Sequence, residues 1–172
     1  MEPGEIAGVP AGRWWVALHL VLYSTGERVS AVLESRWNNL SGDRLLFPAE
    51  SRKGGRKPLL ATLSPEALEA LERIRKPERE IIFPWSFGRT YLYKKYDRIL
   101  RRAELDDSRR SKFHRIRRTH ATQLKAAGGD PTVSLGHSSA ETTARYLDPR
   151  FLPSRVADLL PDFGTLKERP IQ

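Results

Sequence analysis

Two short segments with the residue pattern of β-strands, residues 43–50 and 57–63, interrupt a chain whose other periodic segments are helical. The stretch Lys53-Gly54-Gly55-Arg56 between them has the composition of a tight turn. Strands this close in sequence pair side by side as an antiparallel hairpin, because a parallel connection needs a long crossover. The chain is therefore expected to be mainly α with a small antiparallel β-sheet, an α+β fold.

The predicted helices follow from apolar residues at helical spacing and from residues that begin or end helices. Ser64 followed by Pro65 is an N-cap with proline at the first helical position, and Gly26 is a stop signal. Ser138 and Glu141 have the spacing of a capping box, which would place Tyr146 on a short helix. The sequence predicts helices over residues 11–25, about 27–35, from 65 onward, 90–103, 111–127 (ended by Gly128-Gly129), after 138, and 154–160.

Size and composition indicate one ordinary domain. The chain has 172 residues, 39% of them hydrophobic, with a mean hydropathy of −0.53. The longest apolar run, residues 14–23, is shorter than the about 20 residues that span a bilayer, so no membrane partner is expected. The chain contains no cysteine, which excludes disulfides and thiolate chemistry and agrees with a reducing cytoplasm. We expect a cytoplasmic protein.

A strong positive charge points to nucleic acid as the partner. Lys and Arg number 30 against 21 Asp and Glu, giving a net charge of +9 and an isoelectric point near 10.2. A merely basic scaffold protein is the alternative, and a single lysine or arginine is usually just solvated. The basic residues concentrate between positions 94 and 118, which favours phosphate contacts along a duplex. The candidate DNA-binding residues are Lys94, Lys95, Arg98, Arg101, Arg102, Arg109, Arg110, Lys112, Arg115 and Arg118.

Three short motifs carry residue types suited to phosphoryl chemistry. In the stretch HRIRRTHATQL, residues 114–124, His114 and Arg117 are three apart and share a helix face. Leu135-Gly136-His137 follows, and Tyr146 lies nine residues after His137. Each residue alone has an ordinary structural interpretation, a half-buried tyrosine above all. A tyrosine, with its pKa of about 10, becomes a nucleophile only beside a base or a positive field, which arginine and imidazole supply.

Taken in order, these motifs resemble the catalytic domain of the tyrosine recombinases, the phage integrase family. That family carries T-G-x-R, a hairpin lysine, H-x-x-R, L-G-H and a tyrosine about nine residues later. The resemblance covers residues 14–147, most of the chain. It depends on all the motifs occurring in this order, because no single motif is specific for the family. The matching residues here are Thr25-Gly26-Glu27-Arg28, Lys53, His114 to Arg117, Leu135-Gly136-His137 and Tyr146.

The resemblance implies site-specific DNA recombination or integration, in which DNA is cleaved and rejoined by transesterification with no metal and no cofactor. Tyr146 would form a 3′-phosphotyrosyl link to duplex DNA and free a 5′ hydroxyl. Arg28 and Arg117 would hold the phosphate oxygens, and Lys53 would protonate the leaving oxygen. His114 would assist proton transfer and His137 would hydrogen-bond the phosphate. The implied assembly is a homo-tetramer on paired DNA sites and a monomer without DNA, with no small-molecule substrate. The implied location is a prokaryotic cytoplasm, where the protein would associate with the nucleoid when it acts.

The sequence departs from the family pattern at several positions. Ala31 stands where an acidic residue often follows the first arginine, and residues 129–134 form a shorter connection than usual. Lys57 is a second candidate for the lysine, with Arg52 also near.

The sequence leaves open how the domain is completed and whether the chain is catalytically active. Residues 1–172 are expected to be a single catalytic domain, with a core of about 11–150 and a C-terminal helix and tail at 151–172. The N-terminal DNA-clamp domain usual in the family is expected to be absent, so the chain is either a fragment or has its partner domain elsewhere. A catalytically silent DNA-binding module and a type IB topoisomerase are the competing functions.

Overall fold

The computed structural model describes residues 4–52, 57–108 and 112–152. A two-residue hairpin, β1 and β2, precedes the long helix α1, and a three-stranded sheet, β3 to β5, follows the short helix α2. Five more helices complete the described part of the chain. The bounds are β1 Glu5–Ile6, β2 Val9–Pro10, α1 Ala11–Thr25, α2 Val29–Leu33, β3 Leu40–Ser41, β4 Arg44–Phe47, β5 Leu59–Thr62, α3 Pro65–Glu72, α4 Arg89–Arg102, α5 Phe113–Ala126, α6 Pro131–Ser134 and α7 Ala140–Ala144.

Helix α1 lies at the centre of the core. Trp14, Leu18 and Val21 recur at helical spacing and are all fully buried. The helix packs against α3 on one side and α5 on another. It ends at Gly26, whose φ of 62° is the left-handed conformation that glycine adopts without strain. The end of α1 is therefore fixed in the middle of the fold, directly before Glu27 and Arg28.

The sheet is antiparallel in the order β3-β4-β5. Leu45 pairs with Ala61 and Phe47 with Leu59. Side chains alternate along β4, so Leu45 and Phe47 are buried while Leu46 is exposed. The sheet thus covers one side of the core and directs the segment after β4, which carries Arg52, toward the end of α1.

Stacked aromatic rings join α1, α4 and α5. Tyr96 of α4 stacks on Trp15 of α1 with ring centroids 5.9 Å apart, and on Phe113 of α5 at 4.2 Å. His19 packs against the same rings, and burial lowers its pKa. Offset rings add to the free energy gained from burying their apolar area. The stack holds the basic helix α4 beside α5.

The predicted fold class is confirmed, with a mainly helical chain and small antiparallel sheets. Helix α1 matches its predicted bounds, and Ser64 caps α3 by accepting a hydrogen bond from the backbone N of Ala67 at 3.3 Å. The second helix is shorter than predicted, and the predicted strand 43–50 ends at Phe47 because Ala49–Ser51 forms a 3-10 turn. Helices α4 and α5 begin and end within two residues of their predicted bounds.

The start of α7 differs from its prediction. Ser139, not Ser138, is the N-cap, and its Oγ accepts from the backbone N of Thr142 at 3.3 Å. The helix ends at Ala144, so Tyr146 lies in the turn after it, where its backbone N donates to Thr143 O at 2.8 Å. The bounds of α7 could not be predicted from hydrophobic periodicity, because a helix of five residues has too few turns for a periodic pattern to be visible.

Hairpin β1–β2 was not predicted. Its residue Val9 is 2% exposed and belongs to the hydrophobic core, so the core begins before residue 11. The predicted turn at 53–56 and the predicted helix at 154–160 lie outside the described residues. Across residues 4–52, 57–108 and 112–152, no helix is long and apolar enough to span a membrane.

Candidate active site and DNA-binding surface

Arg117 is the buried centre of the candidate site. It projects from α5 toward the end of α1, and its side chain is 2% exposed. Nη1 donates to Gly26 O and to a Glu27 carboxylate oxygen at 3.3 Å. Nη2 donates to Leu135 O at 3.2 Å and to His137 Nε2 at 2.9 Å. Nε–H is buried and has no partner among the described residues, so one of the five guanidinium donors is left for another acceptor.

Glu27 supplies the negative charge that keeps this arginine buried. Its side chain is fully buried, with Oε1 2.5 Å from Arg52 Nε and Oε2 3.3 Å from Arg117 Nη1. Oε2 also accepts from the backbone N of Arg28 at 2.5 Å. Burial and the neighbouring Arg28 lower the pKa of Arg117 to about 10, while Glu27 acts in the opposite direction. Arg117 therefore remains a cation at neutral pH.

His137 is held in one tautomer by its partners. Because Arg117 Nη2 can only donate, His137 Nε2 accepts, and the proton sits on Nδ1. Nδ1 lies 3.0 Å from Thr143 Oγ1, which in turn donates to Ser139 O at 3.4 Å. Burial, Arg117 and Arg28 lower the pKa of His137 to about 4. The imidazole is neutral near pH 7 and has its acceptor turned to the arginine.

Tyr146 lies against this cluster. Its ring centroid is 5.4 Å from Cζ of Arg117 and 5.1 Å from the ring of His137. The backbone reinforces the placement, because Thr122 of α5 donates from Oγ1 to Tyr146 O at 3.5 Å and accepts from the backbone N of Asp148. The tyrosine is half-buried, as its ordinary structural interpretation predicts, but its ring faces a guanidinium.

A cavity of about 180 Å³ opens beside Arg117. Arg28 and His114 line it together with Arg117, which brings three of the predicted site residues to one concave surface. The Arg28 guanidinium makes no hydrogen bond or ion pair with the described residues. Arg89, at the start of α4, and Tyr93 also line the cavity, and neither was predicted as a site residue.

The lysine of the hairpin is not placed. Lys53 lies outside the described residues. The alternative, Lys57, is exposed, and its backbone O accepts from Arg52 Nη1 at 2.9 Å. The choice between the two lysines stays a prediction.

The predicted DNA-binding residues separate into two groups. Leu92, Tyr96 and Leu100 turn inward on α4, so the basic residues of this helix lie on its outer side. Lys112 differs, because its Nζ lies 2.8 Å from Asp97 and its side chain is only 20% exposed. Arg109 and Arg110 lie outside the described residues. Arg101 also has a partner, since its Nε lies 2.6 Å from Asp107, but its side chain is exposed. The predicted residues that lie at least partly on the surface are Lys94, Lys95, Arg98, Arg101 and Arg102 of α4, and Arg115 and Arg118 of α5.

Sequence reasoning assigned no role to two buried charged residues of the site, Arg52 and Glu27. Arg52 was noted only as a neighbour of Lys53, and Glu27 only as the variable position of a motif. The available signal was the carboxylate of Glu27 between the glycine and the arginine of that motif. Glu27 directly follows the end of a core helix, and a charged side chain buried there needs a partner of opposite charge.

His120 was also missed, although it stands in the same helical motif as Arg117. Its Nδ1 donates to Tyr23 O at 2.7 Å and its Nε2 accepts from Ser134 Oγ at 2.8 Å. A Cβ at Gly26 would lie 2.4 Å from the His120 ring. This histidine joins α1, α5 and α6, and burial lowers its pKa.

The fold is shared with solved recombinase structures. The catalytic domain of bacteriophage HP1 integrase superposes with a TM-score of 0.62 at 20% identity, covering 98% of this chain and all of that domain. XerH site-specific recombinase bound to difH substrate gives a TM-score of 0.64 at 21% identity, covering 90% of this chain and 48% of XerH. At these identities the likeness concerns the fold alone.

Sequence comparison identifies the family. The model of the phage integrase family matches residues 7–152, and the chain belongs to that family. Tyrosine recombinase XerC of Leptospira interrogans serovar copenhageni is 31% identical over 138 residues, which cover 74% of this chain. The match spans 44% of the length of XerC, less than half of that relative.

Proposed function

We propose that this chain is the catalytic domain of a site-specific tyrosine recombinase that cleaves and rejoins duplex DNA, with Tyr146 as the nucleophile. The observation that carries the proposal is the position of the Tyr146 ring, whose centroid lies 5.4 Å from Cζ of Arg117. Nε of this arginine is buried and has no partner among the described residues. Arg28 and His114 lie in the adjoining cavity. A phosphate there would meet two guanidiniums and an imidazole, groups that stabilise the charge of a pentavalent phosphorus.

The proposed step is a transesterification that needs no external energy. The Oη–phosphorus bond forms while the bond from phosphorus to the 5′ oxygen breaks, so the phosphodiester energy is kept in a 3′-phosphotyrosyl link. The tyrosine proton passes to a base, for which we propose His114, and the leaving oxygen takes a proton from Lys53, with Lys57 as the alternative donor. His137 would hydrogen-bond the phosphate from Nε2. Because a phosphate oxygen only accepts, the ring proton has to lie on Nε2 in this state, and Nδ1 then accepts from Thr143 Oγ1. The roles require neither metal nor cofactor.

The other tyrosines serve as internal comparisons. The chain has five, and burial raises the pKa of Tyr96 to about 12, which makes it a poor nucleophile. Tyr93 lines the same cavity as Arg28, from the side of α4. It is therefore the matched control for Tyr146.

The test is covalent trapping on a nicked duplex in the presence of a chelator. Wild type and Tyr93→Phe are expected to give a protein–DNA band on a denaturing gel, and Tyr146→Phe to give none while still binding DNA. A band that persists in Tyr146→Phe would overturn the assignment. Binding without any covalent band in the wild type would instead support a DNA-binding module that does not cleave.

The type IB topoisomerase alternative is tested with supercoiled plasmid. A recombinase is expected to depend on paired sites, whereas relaxation of plasmids lacking such sites would support the topoisomerase. We propose a monomer without DNA and a tetramer on two duplexes, acting on DNA in a prokaryotic cytoplasm. Light scattering with and without DNA measures the assembly.

A further inference from the structure

The side chain of Arg52 forms a bridge on the side of the site opposite α5. It lies just after the 3-10 turn that follows β4, and its side chain is 8% exposed. Nε donates to Glu27 Oε1 at 2.5 Å, Nη1 to Lys57 O at 2.9 Å and Nη2 to Leu135 O at 3.2 Å. One buried guanidinium thus connects the sheet hairpin, the end of α1 and the turn before His137.

The same groups also join Arg52 to Arg117. Glu27 gives one carboxylate oxygen to each arginine, and the carbonyl of Leu135 accepts one hydrogen bond from each, both at 3.2 Å. The four groups form a closed ring, which we call the arginine ring: Glu27, Arg52, Leu135 O and Arg117. A ring of charge-assisted bonds fixes its members better than separate bonds do, because each partner is already ordered by the others.

The backbone at Gly136 closely approaches the Arg52 guanidinium. Gly136 has a φ of +61°, and a Cβ at this position would lie 2.6 Å from Arg52 Nη2. The connection before it is short, since α6 has only four residues between Asp130 and Leu135. Backbone hydrogen bonds hold the turn locally, among them His137 N to Thr132 O at 2.9 Å, and the side chains of Arg117 and Arg52 tie its Leu135 carbonyl to the rest of the site.

We propose that Arg52 is a positioning residue for DNA cleavage, which holds His137 against Arg117 through Leu135 and Glu27. The inference rests on the proposed function but deepens it, since nothing in the motifs assigns a role to this arginine. Arg52 itself would touch neither the phosphate nor the nucleophile. It acts by fixing the Leu135–Gly136–His137 turn, so its loss should affect the cleavage step rather than DNA affinity.

The test compares Arg52→Gln with Arg36→Gln, which removes an arginine whose pair with Glu80 is exposed. We expect Arg52→Gln to cleave a nicked duplex about 10- to 100-fold more slowly at saturating protein, the range seen when a catalytic group is misplaced. DNA affinity should change little, and Arg36→Gln should match the wild type in both. Equal cleavage rates for Arg52→Gln and wild type would overturn the inference.

A second readout does not depend on cleavage. Burial is the largest cause of the lowered pKa of His137, followed by Arg117 and Arg28, while the charge of Arg52 contributes least. A clear rise of the His137 pKa from about 4 in Arg52→Gln would therefore report that the imidazole has left its place beside Arg117. NMR of the labelled imidazole measures this titration and the tautomer in the free protein. An unchanged titration in folded Arg52→Gln would contradict the positioning role.

If Arg52→Gln does not fold, Arg52→Lys provides the test. Lysine keeps the charge beside Glu27 but cannot reach Glu27 and Leu135 together, because it lacks the planar fork. We expect slower cleavage with near-normal stability, and a wild-type rate would refute the role. The two proposals can fail separately. If the wild type forms no covalent complex, the proposed function is wrong. If the His137 titration still depends on Arg52 in that case, the positioning of His137 by the arginine ring remains supported.

Discussion

Glu27 brings one negative charge to a site that otherwise collects cations. It is fully buried and shared by Arg52 and Arg117, so the arginine ring carries a net positive charge before any ligand arrives. Arg28 adds a further cation whose field lowers the pKa of both Arg117 and His137. Burying unpaired positive charge is unfavourable, and an incoming phosphate dianion or diester relieves it. The residues of the ring therefore favour an anionic occupant on electrostatic grounds alone.

The lowered pKa of His137 predicts how the stability of the fold depends on pH. The pKa is about 4 in the folded chain against an ordinary value of 6.5, so the unfolded chain binds more protons between these values. The free energy of unfolding should therefore fall as the pH drops from about 6.5 toward 4. His19 and His120, whose pKa values are also lowered, contribute in the same direction.

The variant His137→Gln measures how much this histidine contributes to the pH dependence of the free energy of unfolding. Urea denaturation across the same pH range should give a shallower pH dependence in the variant than in the wild type. Circular dichroism at neutral pH serves as the control for folding. Identical slopes would mean that His137 is protonated equally well in the folded and unfolded chains.

At the level of the elements, the cap of α7 decides how Tyr146 is presented. The helix has five residues, so its N-cap is a large part of its stabilisation, and Tyr146 follows one residue after its C-cap. Ser139→Ala should remove about 1 kcal/mol of local stability, the usual cost of losing a serine cap. Amide hydrogen exchange at Thr142 should accelerate several-fold, and covalent trapping through Tyr146 should slow.

Ser138→Ala is the matched control. It removes a serine of the same kind one residue earlier, which the sequence pattern with Glu141 favoured as the cap. Exchange at Thr142 should not change in this variant. An effect of Ser138→Ala equal to that of Ser139→Ala would contradict the capping geometry.

The long elements were predictable and the short ones were not. Helix α1 was predicted to the residue because apolar residues, among them Trp15, Leu18, Leu20 and Leu22, recur along it and Gly26 ends it. Hairpin β1–β2 has two residues a strand, too few for an alternation to be visible. The same limit applies to the site, because His114 and Arg117 are related by helical spacing, whereas Arg52 reaches Leu135 across 83 residues of chain.

Over the whole molecule, the charge of +9 is expected to govern DNA affinity. Lys94 is exposed on the outer side of α4, while Lys112 is bound to Asp97 and lies over the ring of Tyr93. Replacing a lysine that contacts a phosphate should lower the slope of log affinity against log salt by about 1. We expect this of Lys94→Gln in fluorescence anisotropy titrations at several salt concentrations.

Lys112→Gln provides the comparison at equal loss of charge. Because its ammonium group is partly buried in an ion pair, the substitution should lower the free energy of unfolding while the salt slope stays near that of the wild type. Equal slopes for both variants would show that net charge alone, and not its position on α4, determines the affinity.

The arginine ring also has an evolutionary consequence. Loss of Glu27 alone leaves two buried cations without their carboxylate, and loss of Arg52 alone leaves Oε1 of Glu27 without its ion pair, although Oε2 keeps Arg117. A lineage that changes one of the two residues therefore passes through a destabilised intermediate. The two positions should therefore be inherited as a unit. Among homologues of this chain, we expect those with a neutral residue at position 27 to have a replacement at Arg52 as well. Covariation of the two positions in a sequence alignment would measure this.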